Sequence, residues 1–278
     1  MVTSLEFDHG DIYRDLAEIE LAFQRMLRQI PREGLLLFCA DNHAATLASH
    51  AFSSVESYGF SDDADWRGVQ MEQDGLLDIW HGDLHWGSVC PTMAGKHNMS
   101  NTLAAVAVAA TLGMPYESIA AAVADFPGVR RRMEVFLEHD GVTFIDDFAH
   151  HPTAIRETIE AACSRWPNRR IRAVFEPRSN TTVTKKFQKE LEQAFLGAGE
   201  VLLGPIHRKE AIPEEERLDT GVLAAALRAS GVPAKSYEEL PSLVESLEQS
   251  IEKGDVILIM SNGAFGGIYA TLRERFSG

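Results

Sequence analysis

The residues best suited to chemistry stand in short polar clusters that directly follow apolar runs. One cluster holds two carboxylates and two imidazoles within six residues, as Asp146-Asp147 and His150-His151. Packing alone does not explain this composition, and an aspartate at a strand end can accept hydrogen bonds from ribose hydroxyls. A metal site at His150 and His151 is the alternative, although adjacent residues rarely ligate one ion well.

Two more polar turns follow apolar runs in the second half of the chain. Residues 175–181 read Phe-Glu-Pro-Arg-Ser-Asn-Thr, and residues 261–267 read Ser-Asn-Gly-Ala-Phe-Gly-Gly. Glycines permit close backbone approach, and the N-terminus of a following helix favours an anion such as a carboxylate. The turns therefore indicate a binding site for an acidic group, with ordinary turn chemistry as the alternative.

Three consecutive arginines, Arg130 to Arg132, stand out in an acidic chain. Guanidinium groups suit phosphate oxygens because their donors match the geometry of the anion. The alternative is a solvated basic run that pairs with surface carboxylates.

Two clusters in the first half carry a weaker signal. Carboxylates and His9, within residues 6–11, could hold a divalent cation near a phosphate, but a helix N-cap at Asp8 or Asp11 explains them as well. Asn98 and Asn101 are three residues apart at a helix start and share a face. Their carboxamides could read an adenine edge, and capping and packing are the alternative.

The composition limits the classes of partner. Lys and Arg number 26 against 41 Asp and Glu, which gives 26 − 41 = −15 and argues against nucleic acid or an anionic membrane. It does not argue against ATP, because a phosphate site needs only a few local groups. Three cysteines without metal-site spacing favour a reducing cytoplasm. We see neither a membrane-spanning run nor a signal peptide.

The first half of the chain alternates strands and helices before an irregular stretch. We predict a strand over Val2–Leu5, a helix over Asp11–Gln29 and a buried strand over Leu35–Ala40. Residues 55–89 contain short β-runs with Asp74-Gly75 and Gly82-Asp83 turns, which indicate an antiparallel ribbon. Helices over Ser100–Leu112 and Tyr116–Asp125 follow.

The pair Pro127-Gly128 ends the last of these helices and marks a domain boundary, so we expect domains at 1–128 and 129–278. The second half begins with a hairpin around Asp140-Gly141 and then alternates strands with helices. The predicted strands are Ile171–Phe175, Glu200–Leu203 and Val256–Met260, and the predicted helices are Thr153–Trp166, Thr184–Phe195, Leu218–Ser230, Leu240–Glu252 and Phe265–Phe276. This alternation is typical of a doubly wound, mostly parallel sheet in an α/β protein, whose ligands bind at the carboxyl ends of strands.

Six ordered blocks along nearly the whole chain resemble the Mur ligase family, and within it most closely the murein peptide ligases. The blocks are residues 5–12, 95–101, 130–134, 146–153, 175–181 and 260–267. The resemblance implies a part of a central ATP-binding domain followed by a Rossmann-like C-terminal domain that binds the acceptor. It also implies an ATP- and Mg²⁺-dependent ligase that joins UDP-N-acetylmuramate to the tripeptide L-alanyl-γ-D-glutamyl-meso-diaminopimelate in cell-wall recycling.

The resemblance also implies roles for individual residues. His9 would contact magnesium, Asn98 and Asn101 would lie near adenine, and Arg132 would reach the nucleotide phosphates. Asp147 would bind the ribose. Phe148 stands where the alanine-adding relatives usually have a tyrosine near the base.

The acceptor block departs from the alanine-adding pattern, which reads Phe-Gln-Pro-His-Arg-Tyr-Thr at residues 175–181. The change fits a peptide acceptor better than alanine, so Arg178, Ser179 and Asn180 are the candidates for binding that peptide. Ser261 and Asn262 complete the expected acceptor site.

The Gly-x-Gly-Lys-Thr phosphate loop of the family does not occur in this sequence. We therefore expect a C-terminal part of a longer ligase that is inactive by itself. Three alternatives remain: another Mur-type amino-acid ligase, a free-standing nucleotide- or peptide-binding module, and a metal-dependent hydrolase that uses His9, His150 and His151.

Overall fold

The computed structural model describes residues 1–71 and 75–276, and the chain divides into two compact units at residues 1–128 and 129–278. Each unit contains one β-sheet. Asp74 of the predicted Asp74-Gly75 turn lies outside the described residues.

The first unit is built on a five-stranded sheet with the order β1-β2-β3-β4-β5. Its strands are β1 (Leu35–Cys39), β2 (Ser54–Gly59), β3 (Trp66–Gln70), β4 (Leu77–His81) and β5 (Leu84–Val89). Its helices are α1 (Leu16–Leu27), α2 (Lys96–Thr111) and α3 (Tyr116–Asp125), with a 3-10 helix over His43–His50 that was not predicted.

Four predictions for the first unit need correction. The strand predicted at Val2–Leu5 is a single parallel bridge from Val2 to Phe38. The predicted antiparallel ribbon holds only for β3 to β5, because β2 pairs in parallel with β1 and with β3. Two helix starts were also misplaced: α1 begins at Leu16, where the Asp15 side chain accepts from the Glu18 N–H, and α2 already begins at Lys96. The turn residues at 74–75 and 82–83 indicate hairpins among the later strands, but they carry no information on β2. Its parallel partner β1 lies on the other side of the 3-10 helix.

Helix α2 packs closely against the sheet and forms one of two apolar clusters described in the first unit. Its small side chains let Leu103 and Val106 become fully buried against Trp66 and Ile79 of the sheet. Burial of such apolar side chains is the main favourable term in folding.

The second unit has a six-stranded sheet with the order β10-β9-β8-β11-β7-β6. Its strands are β6 (Glu134–His139), β7 (Val142–Asp147), β8 (Ile171–Phe175), β9 (Glu200–Leu203), β10 (Ala234–Ser236) and β11 (Val256–Met260). Its helices are α4 (Pro152–Arg165), α5 (Gln188–Ala194), α6 (Thr220–Ala229), α7 (Leu240–Ser250) and α8 (Ile268–Phe276). All strand pairs except β6 with β7 are parallel, which confirms the predicted α/β class.

The buried strands of this sheet were predicted best. The bounds of β8, β9 and β11 agree with the sequence, because each is a short, mostly apolar run that is largely buried, with Arg172 and Glu200 as the charged exceptions near the starts of β8 and β9. The three-residue strand β10 was missed, since Ala-Lys-Ser carries no apolar run. The predicted helices over Thr184–Phe195 and Phe265–Phe276 each begin with a 3-10 turn, at Lys185–Phe187 and at Phe265–Gly267.

A buried arginine links neighbouring strands at the amino-terminal edge of this sheet. Arg172, near the start of β8, is fully buried, with Nε 2.7 Å from Glu200 and Nη1 3.1 Å from Asp255. Its remaining donors reach the backbone oxygen of Ser250 at 3.1 Å and its hydroxyl at 2.7 Å. Every charged group in this cluster is therefore compensated.

The helices of the described residues are too short or too polar to cross a membrane.

Candidate functional site

Three polar turns meet at the carboxyl edge of the second sheet. The strand order places β11 between β8 and β7, and Met260 at the end of β11 is paired with Phe175 and with Asp147. The segments after these strands are consequently neighbours. The structure thus brings Asp147, the turn at 175–181 and the turn at 261–263 to one edge.

The two predicted acceptor turns are joined by direct hydrogen bonds. Glu176 is buried, and its Oε2 accepts a short bond from the Ser261 hydroxyl. The same hydroxyl oxygen accepts from the Gly263 N–H at 2.9 Å. Ser261 is fully buried, so it holds the two turns together and is not accessible as a contact on the surface.

Arg178 lies across the second turn with its guanidinium incompletely paired. Its Nη1 is 3.4 Å from Glu176 Oε1 and 3.1 Å from His207 Nδ1. A Cβ added to Gly263 would come within 2.0 Å of Arg178 Nε, so the glycine makes room for the arginine. Burial lowers the pKa of His207, and the charge of Arg178 lowers it further. A neutral His207 can accept from the guanidinium.

The other predicted acceptor residues differ in their environments. Ser179 closes a local turn, with its Oγ 2.6 Å from Thr182 Oγ1 and accepting from the Thr182 N–H at 3.1 Å. Asn180 is exposed. Asn262 has a buried Oδ1 that finds no hydrogen-bond partner among the described residues. Buried polar atoms in native proteins are nearly always paired, so this oxygen is a candidate for contact with a ligand or with water.

Asp147 is almost completely buried at the end of β7. It accepts from the N–H groups of Met133 and Ala149, both at 2.8 Å, and from Thr158 Oγ1 at 3.4 Å. Burial raises its pKa, against the effect of these donors and of Arg132. The carboxylate has about four lone-pair positions, so these bonds occupy most of its capacity.

Arg132 is exposed beside this carboxylate. Its guanidinium carbon lies 5.7 Å from the centroid of the Phe148 ring. Phe148 is half-buried and its ring also faces Arg131, at 5.3 Å. Arg132, Asp147 and Phe148 therefore form one cluster, with a charged group and an aromatic face open to a ligand.

Arg131, which was not singled out, connects this cluster with the acceptor turns. Its Nε is 3.1 Å from Asp146, and its Nη2 donates to the backbone oxygens of Ser261 and Gly263, at 2.6 and 2.9 Å. Tyr269 also donates to Asp146, at 2.6 Å. The run of arginines singles out the segment, but only the fold separates Arg131, whose donors bind protein oxygens, from the exposed Arg132.

The candidates in the first unit are spread out. His9 is exposed with a φ of 51°, and its backbone oxygen accepts from Ile12 and Tyr13. Asn98 is buried and donates to the Ala94 oxygen at 2.7 Å, whereas Asn101 is exposed. Within residues 1–71 and 75–276, no group of three His, Cys, Asp or Glu side chains could hold a metal ion.

The paired histidines have separate local partners. His150 Nδ1 lies 2.9 Å from the Phe148 oxygen, and His151 caps α4 by accepting from the Thr153 N–H at 3.3 Å. These contacts hold the two rings on different partners and give no support to a shared metal site.

Comparisons with known proteins agree with the two-unit organisation. The Mur ligase middle domain family matches residues 1–109, and the family described as the Mur ligase, glutamate ligase domain matches residues 131–263.

Two curated relatives and one solved structure illustrate the similarity. The UDP-N-acetylmuramate–L-alanyl-γ-D-glutamyl-meso-2,6-diaminoheptandioate ligase of Escherichia coli K12 is 35% identical over 284 residues, covering 99% of this chain and 58% of the relative. The UDP-N-acetylmuramate–L-alanine ligase of Desulfitobacterium hafniense Y51 is 32% identical over 267 residues, covering 95% and 59%. A murein peptide ligase from Psychrobacter arcticus has a TM-score of 0.71 at 29% identity, covering 99% of this chain and 56% of that one. The chain thus spans less than two thirds of the length of these relatives.

Proposed function

The chain belongs to the Mur ligase family of ATP-dependent amide ligases, and from this we propose that it is part of the ligase that joins UDP-N-acetylmuramate to L-alanyl-γ-D-glutamyl-meso-diaminopimelate. The observation that carries the proposal is the meeting of Arg178, Glu176 and the Ser261–Gly263 turn at the sheet edge that also bears Asp147.

The proposed acceptor site suits a peptide with carboxylates. Arg178 is partly exposed, and both of its side-chain contacts among the described residues, with Glu176 at 3.4 Å and with His207 at 3.1 Å, use Nη1, so its other donors are available to an anion. Asn262 adds a buried acceptor oxygen without a partner among the residues described. An arginine and a carboxamide together can hold a carboxylate and a peptide N–H.

The proposed nucleotide contacts lie on the cluster of Arg132, Asp147 and Phe148. An exposed guanidinium suits a phosphate and an aromatic face suits a base, while the nearly buried Asp147 has one acceptor position left for a ribose hydroxyl. We keep Asn98 and Asn101 as proposed adenine contacts in the first unit.

Magnesium enters only as a proposed contact of His9. A single imidazole does not make a magnesium site, because the ion prefers several oxygen ligands. We therefore assign no step of the reaction to the metal.

For the intact ligase, the reaction class implied by the family is attack of the acceptor amine on an activated carboxylate. This chain's own residues would hold and orient the acceptor and the nucleotide, and such positioning supplies a large part of the barrier reduction in a two-substrate reaction. Cell-wall recycling and a cytoplasmic location are part of the same proposal.

The experiment that tests the acceptor is a calorimetric titration of the purified chain with the tripeptide and with L-alanine. We expect the tripeptide to bind and L-alanine to bind far more weakly. The reverse preference would instead support the second candidate, an alanine-adding ligase, which the 32% identity to the Desulfitobacterium enzyme favours. Absence of tripeptide binding would contradict the proposed acceptor site.

A further inference from the structure

A cavity of about 310 Å³ opens at the carboxyl edge of the second sheet, at its outer end. Its walls are the segment after β9, the segment that leads into α6 and the turn after β10. Ligand pockets start at roughly 300 Å³, so this cavity has room for a group the size of one amino acid.

Charges of both signs line the cavity. The cations are Lys185, Lys209 and Arg217, and the carboxylates are Glu214, Asp219 and Glu238. Lys209 Nζ lies 2.5 Å from Glu238 Oε2 near the rim, and Asp219 caps α6 by accepting from the Val222 N–H at 2.8 Å. This mixture suits a zwitterion better than a simple anion or cation.

Arg217 marks the part of the cavity that suits a carboxylate. Its Nη2 donates to the Ile212 oxygen at 2.8 Å, but its Nε is buried and has no hydrogen-bond partner in the part of the chain that the structure describes. A buried N–H without an acceptor is unfavourable, and an oxygen of a ligand would relieve it. Thr220, at the N-terminus of α6, lies in the same wall, and this end of a helix also favours an anion.

The cavity shares a wall with the proposed acceptor turn. His207 donates its N–H to the Pro177 oxygen at 2.9 Å, and its Nδ1 is 3.1 Å from Arg178 Nη1. Ile206 and Lys209, on either side of His207, line the cavity. The segment after β9 thus joins the two places.

The distance between them matches the length of a short peptide. Neighbouring strands lie about 4.8 Å apart, so two strand spacings from β8 to β10 amount to roughly 10 Å. A three-residue peptide in extended form also spans roughly 10 Å. A peptide held at Arg178 can therefore reach the cavity with its last residue.

We infer that this cavity binds the distal residue of the acceptor peptide through its zwitterionic end. The inference rests on the proposed function and identifies the subsite that distinguishes a tripeptide acceptor from a shorter one. Diaminopimelate ends in an amino group and a carboxylate. The carboxylate faces Arg217, Lys185 and the start of α6, and the ammonium group faces Glu214 and Glu238.

The test compares two peptides on the purified chain by titration calorimetry. The tripeptide carries the distal residue, and the dipeptide L-alanyl-γ-D-glutamate lacks it. We expect the tripeptide to bind about tenfold more tightly, as one charge-assisted contact allows. Arg217→Met and Lys185→Met should each reduce this advantage without changing the affinity for the dipeptide. Arg217→Lys should keep most of it, and the control Lys235→Met, on an exposed lysine of β10 outside the cavity, should leave it unchanged.

Each outcome decides for or against the cavity. Equal affinities for the two peptides in the unmodified chain would overturn the inference and leave the proposed function standing. So would an Arg217→Met variant that folds and keeps the full advantage. If that variant does not fold, Lys185→Met decides, because its side chain is exposed. Failure of both peptides to bind would count against the proposed function and, with it, against the subsite.

Discussion

Arg172 lies near the start of β8 and Arg178 lies in the turn that follows this strand, and the two arginines differ in how fully they are paired. Arg172 is completely buried and has a partner for each of its nitrogens, from Glu200, Asp255 and Ser250. Arg178 keeps 28% of its side-chain area exposed, and its side-chain partners within residues 1–71 and 75–276 are Glu176, through a long bond, and His207.

This difference separates a structural cation from one that is available to a ligand. A guanidinium whose donors are all used contributes to the fold, because removing it would take a buried ion-pair partner from the neighbouring carboxylates. A guanidinium with unused donors at the carboxyl edge of a parallel sheet lies where ligands bind in this class of fold. The same residue type therefore serves two purposes at the two ends of one βα segment.

The largest effect is expected for Arg172→Met. It removes the Arg172 partner of Glu200 and one of the two arginine partners of Asp255, which keeps Arg170 at 2.8 Å, so the free energy of unfolding should fall by about 3 kcal/mol, the lower end for a broken buried ion pair. Urea denaturation of the purified chain measures this, with Arg156→Met on the exposed face of α4 as the control. A loss below about 1 kcal/mol would mean that the cluster does not hold the sheet edge.

Arg178→Met should affect ligand affinity more than stability, in contrast to Arg172→Met. Stability should change by about 1 kcal/mol or less, because few bonds are lost, while the affinity for the tripeptide should fall about tenfold. Titration calorimetry and urea denaturation on the same protein separate the two quantities. An unchanged affinity in a folded variant would remove Arg178 from the acceptor site.

A smaller effect concerns acid stability at the amino-terminal edge. Burial by itself raises the pKa of Asp255, but hydrogen bonds and charges from Arg170 and Arg172 bring it below its ordinary value. Its stabilising contribution is therefore present above the unfolded pKa of about 3.9 and is lost as the pH falls through the lower folded pKa.

The measurement is urea denaturation at a series of pH values down to about 3, below the unfolded pKa of an aspartate. Asp255→Asn should flatten the acid end of the stability curve and lower its plateau at neutral pH. A curve with the same acid slope in both proteins would contradict this assignment.

The smallest effect is expected for Gly263→Ala, which alters the position of Arg178 and not its charge. The new Cβ would lie 2.0 Å from Arg178 Nε and must push the guanidinium aside. Tripeptide affinity should fall by less than in Arg178→Met, with little change in stability. An effect as large as that of Arg178→Met would point to a direct contact of the Gly263 backbone with the acceptor.

The edge that carries the acceptor turns could be predicted from the sequence. The apolar runs before residues 146, 176 and 261 mark strands, and parallel strands place the residues that follow them at one edge. The pairing of the side chains could not be predicted. Nothing local shows that Ser261 bonds to Glu176, since the two residues are 85 positions apart.

The sequence by itself determined the α/β class, the buried strands and the types of residue at the site, because apolar runs and polar turns are local patterns. The tertiary structure alone decided that Arg131 binds protein oxygens while Arg132 is exposed, and that all the nitrogens of the Arg172 guanidinium have partners while those of Arg178 do not. These outcomes depend on which distant carboxylates and carbonyl oxygens come within hydrogen-bond distance, and that proximity arises only when the strands pair.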